Sequence, residues 1–179
     1  GNVLSGELSG TLSSSTYRIT GDINVVNGDE LILLPGTKFL FNGDYGFTIE
    51  GVLIAEGTKQ DSIIFENYNN GEFWQDDDWM SYCWEMWYEC GLNCMYWYCE
   101  ENWPSNYHWK GITLENVTEE TVFDYVKISG AKKINGAAMA LLSSDPILSN
   151  MIIEENIGNY YCIYNYFIKK HFDYKFLLD

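Results

Sequence analysis

The chain has 179 residues, enough for one domain with a sizeable core. Its 26 Asp and Glu stand against 10 Lys and Arg, a formal net charge of −16. Such a balance argues against nucleic acid and anionic membrane surfaces as partners, because phosphate binding needs clustered cations, and no apolar run reaches the roughly 20 residues of a membrane span.

Residues 1–16, GNVLSGELSGTLSSST, read as an N-terminal cap with a short strand around Val3-Leu4. From residue 17 to 67 the chain alternates short apolar runs with turns. The runs are INVV (23–26), ELILL (30–34), TKFLF (37–41), FTI (47–49), VLIA (52–55) and SIIF (62–65). Each spacer carries Gly or Asn, residues that accept positive φ. No amphipathic helix period of useful length is present. Runs of similar character return after 21 residues (Leu31 to Val52) and 24 residues (Phe39 to Ile63). A recurrence of this length predicts a parallel β-helix, in which each circuit is one rung and like residues stack on like. A sandwich built from hairpins at Asn27-Gly28 and Asn42-Gly43 is the alternative. The expected inward residues are Ile32, Leu34, Phe39, Phe41, Ile49, Ile54, Ile63 and Phe65, in three to four rungs.

Residues 68–108 break the pattern. These 41 residues hold six of the seven tryptophans, four of the five cysteines and eight carboxylates, with no Lys or Arg. They read as an inserted Cys/Trp/Tyr-rich lobe. A lobe this small needs staples. Cys83, Cys90, Cys94 and Cys99 are expected to form two disulfides, in any of three pairings, leaving Cys162 reduced. Zinc is a rival, although the gap from Cys83 to Cys90 is too wide for a zinc knuckle. Met80, Met86 and Met95 would suit a soft metal such as Cu(I). Asp76, Asp77 and Asp78 are weak calcium candidates: three consecutive carboxylates cannot all turn inward, and a solvated run is the plainer reading. No cofactor is otherwise expected. The rings of Trp74, Trp79, Trp84, Trp87, Trp97, Trp103, Tyr82 and Tyr98 are candidate contacts for a macromolecule or a glycan, since Trp and Tyr present flat faces edged with donors. Their plainer role is the lobe's own core.

The strand pattern resumes at WKGITLEN (109–116), VFDYVKISG (122–130), AAMALL (137–142), PIL (146–148), MIIEEN (151–156) and YYCIYNYF (160–167). Asn150 and Asn156 stand at the ends of apolar runs, where an amide can sit at a corner and bond along the stack. Residues 168–179 read as a C-terminal cap or a docking point for a second subunit.

The string ITGDINVVNGDELILLPGTKFLFNGDYGFTIEGVLIAEGTKQDSIIFEN resembles the opening rungs of secreted bacterial right-handed parallel β-helix proteins. WKGITLEN is similar to their W-x-G-I rung, and SSDPILSNMIIEENIG to their later rungs. The resemblance covers residues 17–67 and 109–167. It implies a right-handed all-β solenoid and an extracellular or cell-surface location. It is poor for function, because such solenoids serve as adhesins, enzymes and structural proteins alike.

Catalysis finds little support in the residues. His108 and His171 belong to no recognisable triad or metal motif, and nucleophile-elbow and phosphate-loop strings are absent. The expected function is therefore a non-catalytic, secreted or surface-bound adhesion or carbohydrate-binding module. Alternatives are a self-assembling structural subunit, associating through the lobe or the ends of the solenoid, and, further off, a carbohydrate-active enzyme.

Overall fold

Spacers rich in Gly and Asn redirect the chain every few residues, so no element grows long. The computed structural model describes residues 2–68, 108–133, 137–154 and 156–158, and every regular element among them is a strand. The first eight strands are β1 (Asn2–Glu7), β2 (Gly10–Leu12), β3 (Thr16–Val25), β4 (Glu30–Leu33), β5 (Lys38–Phe41), β6 (Gly46–Ile49), β7 (Val52–Glu56) and β8 (Ile63–Asn67). After the inserted segment come β9 (Gly111–Glu115), β10 (Val122–Asp124), β11 (Val126–Ser129), β12 (Lys132–Lys133), β13 (Met139–Leu142), β14 (Ile147–Ser149), β15 (Ile152–Glu154) and β16 (Ile157–Gly158). The C-terminal cap expected at 168–179 and Cys162 lie outside the described residues.

All pairings between these strands are parallel, and none is a hairpin. The strands stack in three columns. The first runs from the front half of β3 through β5, β8 and β11 to β15. A second runs from the back half of β3 through β6 and β9 to β13. Because β3 serves both, they form one sheet, and β1 pairs along it. The third column is a separate five-stranded sheet, β2-β4-β7-β10-β14. Among the described residues the second column holds four strands and the other two hold five, where three to four rungs are expected. The repeat is longer than the runs suggest: Leu31 pairs with Leu53, one position beyond Val52, and Phe39 with Phe65, two beyond Ile63.

Like stacks on like in the first two columns. Phe39, Phe41, Ile49, Ile63 and Phe65 are fully buried, as their pattern predicts. Tyr17, Phe39 and Phe65 occupy one register position, with ring centroids 5.9 Å and then 5.4 Å apart, both edge to face. Edge-to-face contact suits the ring quadrupole.

The third column corrects the expected parity. Leu31, Leu33, Leu53 and Ala55 point inward, whereas Ile32 and Ile54 are half-buried and Leu34 is exposed. Runs such as ELILL and VLIA are apolar at every position, so their own alternation cannot choose a face. The charges at their ends can. Glu30, Glu56 and Asp124 must face water, and strand period two then turns Leu31, Ala55 and Phe123 inward. The register agrees: Phe123 stacks on small Ala55, and Glu56 on Asp124.

Polar side chains close the corners. Buried Thr121 accepts a hydrogen bond from Leu53 N–H (3.3 Å) and donates to the Gly51 carbonyl (3.5 Å). Asn156 accepts from Ala131 N–H (2.9 Å), and its Nδ2 donates to the Ile128 carbonyl (3.2 Å). Asn150 takes φ of 47° and donates to Asp124 (2.8 Å) on the neighbouring strand. Both asparagines thus bond along the stack. A side-chain amide does this well because it carries donor and acceptor together.

Candidate contact surface at the inserted segment

The register locates the insertion. Phe41 pairs with Asn67 across 26 positions, whereas Gly46 pairs with Gly111 across 65, so 39 positions are additional between β8 and β9. The pairing itself runs on without a shift. The chain leaves the first column after β8 and returns to the second at β9.

The departure point is held on the outer surface. Tyr68 N–H donates to the Phe41 carbonyl (2.9 Å), and the Arg18 guanidinium lies 4.8 Å from the centre of the Tyr68 ring. A cation over an aromatic face at this distance is attractive by about 0.5–1 kcal/mol where exposed. Beside it, Gly130 adopts φ of 67°, and a Cβ there would lie 3.1 Å from the Asn67 Cβ. The close approach and the left-handed backbone both call for glycine.

The return point is held in the core. Trp109 is fully buried and stacks on Phe41, with centroids 4.0 Å apart and planes at 10°. Its Nε1–H donates to the Ser129 carbonyl (2.8 Å), which satisfies the indole's one polar group. Lys110 N–H donates to the Tyr45 carbonyl (2.8 Å), restoring the ladder at once. Outside, His108 Nε2 stands 3.7 Å from Asp44 Oδ1, and Lys110 Nζ stands 3.7 Å from Asp22 Oδ1. Asp22 also accepts from Gly46 N–H (2.8 Å). One end is thus tied by a surface aromatic and the other by a buried one.

The segment between these anchors carries the candidates read from the sequence. Trp74, Trp79, Trp84, Trp87, Trp97, Trp103, Tyr82 and Tyr98 lie outside the described residues, as do Cys83, Cys90, Cys94, Cys99 and the calcium candidates Asp76, Asp77 and Asp78. Sequence reasoning missed the groups around the anchors: Arg18, Asp22 and Asp44. Nothing local in the sequence joins them. Arg18 meets Tyr68 only because β3, β5 and β8 stack in register. Among the described residues, no group of three His, Cys, Asp or Glu could hold a metal ion, and no helix is long and apolar enough to cross a membrane.

Comparison with known proteins gives little further identity. No protein-family model matches the chain, and no solved structure does. A stretch of 66 residues, 36% of this chain, is 39% identical to part of Protein bark beetle of Drosophila melanogaster. The match spans about 2% of the length of that protein, so it marks a local likeness to one small part of a far longer chain.

Proposed function

We propose that the chain is a right-handed parallel β-helix of the kind found in secreted bacterial proteins, serving as the scaffold of a non-catalytic binding module. In this reading it works outside the cell or at its surface, and residues 68–108 provide the contact for another macromolecule or a glycan. The carrying observation is the unshifted pairing of β6 with β9, kept although the connection from Asn67 to Gly111 has 39 more positions than the one from Phe41 to Gly46. A scaffold that accepts so long an excursion without shifting its pairing can devote those residues to something other than its own core. The excursion's composition points the same way. It is the richest in tryptophan, and it has carboxylates but no Lys or Arg, which suits hydroxyl-rich or cationic ligands and disfavours polyanions.

The test replaces Trp74, Trp84, Trp97 and Trp103 singly by Ala. Each variant is examined for folding by circular dichroism, for size by sedimentation and for binding on a glycan array. At least one variant is expected to stay folded and lose binding. Loss of assembly with binding intact would instead make the chain a structural subunit. Unfolding of all four would return the rings to the segment's own core and end the proposal. Thiol counting in denaturant is expected to find one free thiol, Cys162. Five free thiols would reject the two disulfides within the segment.

A further inference from the structure

The outward faces of the three columns differ in kind. In the first, Thr16, Lys38, Ile64 and Lys127 share one outward row, and Arg18, Leu40 and Glu66 share the next. In the second, the row is Asn24, Thr48, Thr113 and Ala140. In the third, Thr11, Ile32, Ile54, Val122 and Ile147 stand in one register row. Below the lone threonine this row is wholly aliphatic and β-branched. Ile147 is 47% exposed, and Leu34, near the same face, is 42% exposed.

Charge surrounds this row on both sides. Glu30, Glu120 and Asp145 precede Ile32, Val122 and Ile147 by two positions, and all three are exposed. Glu56 and Asp124 follow Ile54 and Val122 by two positions and pair with each other in register. Asp124 Oδ1 already accepts from Ser149 (2.7 Å) and Asn150 (2.8 Å). The five strands of this sheet contain no Lys, Arg or His.

We propose that the outward face of the β2-β4-β7-β10-β14 sheet binds a cationic amphipathic helix of a partner polypeptide, its apolar stripe along the Ile32–Ile54–Val122–Ile147 row and its Lys or Arg residues against the bordering carboxylates. The dimensions match. Five strands at about 4.8 Å make a row roughly 19 Å long. An α-helix of about 13 residues has that length, and its 5.4 Å pitch brings an apolar residue near each strand in turn. Charge complementarity selects this occupant over the same face of a second copy, which would press carboxylate borders together with no cation from either sheet.

The test uses the full chain and a synthetic 14-residue Leu/Lys peptide with amphipathic helical spacing, titrated by fluorescence anisotropy. A scrambled peptide of the same composition serves as control. The amphipathic peptide is expected to bind at least tenfold more tightly than the scrambled one. Ile32→Thr with Ile54→Thr, which keeps the β-branch and the strand preference, should weaken binding at least tenfold at unchanged thermal stability. Glu30→Gln with Glu56→Gln should weaken it and flatten its salt dependence. Equal binding of both peptides, or binding indifferent to the Thr pair, would overturn the proposal. So would concentration-dependent dimerisation that Ile54→Lys abolishes, since that assigns the face to a second copy. Glycan binding, measured in parallel, should be the same in the Thr pair as in the parent, so this site and the inserted segment stand or fall separately.

Discussion

Replacing Trp109 by Ala is expected to destabilise the chain by about 3–5 kcal/mol, the usual range for a buried large aromatic reduced to a methyl group. The residue is fully buried, stacks on Phe41 and donates to the Ser129 carbonyl, so three losses coincide. The indole volume is vacated. One flat face of Phe41 loses its partner. The Ser129 carbonyl, on a residue only 1% exposed, loses its indole donor. For a chain of this length the melting temperature should fall by roughly 6–20 °C. Trp109→Phe separates the terms, because it keeps a ring on Phe41 and removes only the donor and part of the volume. It should cost clearly less than Trp109→Ala. Equal losses in the two variants would mean that the stacked ring contributes nothing and the hydrogen bond everything. Thermal melts followed by far-UV circular dichroism give both numbers.

Gly111→Ala should also be severe, for a different reason. Gly111 opens β9 at φ of 82°, and a Cβ there would lie 2.4 Å from the Ala138 carbonyl oxygen. The left-handed backbone alone costs an L-residue roughly 1–3 kcal/mol. The overlap adds to it, because the obstructing atom is backbone of the adjoining segment and cannot swing aside. That same approach lets Ile112 N–H donate to the Ala138 carbonyl (2.8 Å). Gly28→Ala is the comparison. Gly28 also has positive φ, at 91°, but nothing lies within 4 Å of its Cβ position. Gly28→Ala should therefore lose only the backbone part. Urea unfolding with equal m-values would show that both variants act on stability and not on the extent of folding. A Gly111→Ala variant no worse than Gly28→Ala would contradict the close packing of β9 against the segment that follows Ala137.

These two positions show what could be read in advance. W-x-G-I at 109–112 marks the point where strands resume, and the structure gives each letter a cause: the indole fills the core, the glycine admits a carbonyl, and Ile112 enters the ladder. The repeat was legible because the turns are short and the runs recur. The face of the third column was legible only in the charges at its strand ends. Reading the apolar letters alone placed Ile32, Leu34 and Ile54 inward, whereas Glu30, Glu56 and Asp124 carry the parity. The outer anchor of the inserted segment was not legible at all. Arg18 and Tyr68, 50 positions apart, become neighbours only through the register of three stacked strands. A single sequence records which residues suit a strand, but the meeting of two outward side chains depends on the residue count of every connection between them.

The central claim is that the columns form a self-sufficient scaffold and residues 68–108 are carried on it. In the preceding circuit, Phe41 is joined to Gly46 by Asn42, Gly43, Asp44 and Tyr45 alone. A connection of about four residues is ordinary for neighbouring strands. The most direct measurement therefore replaces residues 69–107 with a short Gly/Ser linker and records cooperative unfolding in urea beside glycan binding. The account predicts a folded β-sheet protein with one sharp transition, native-like stability and no binding. A chain that no longer folds, or one that folds and binds as before, would contradict it.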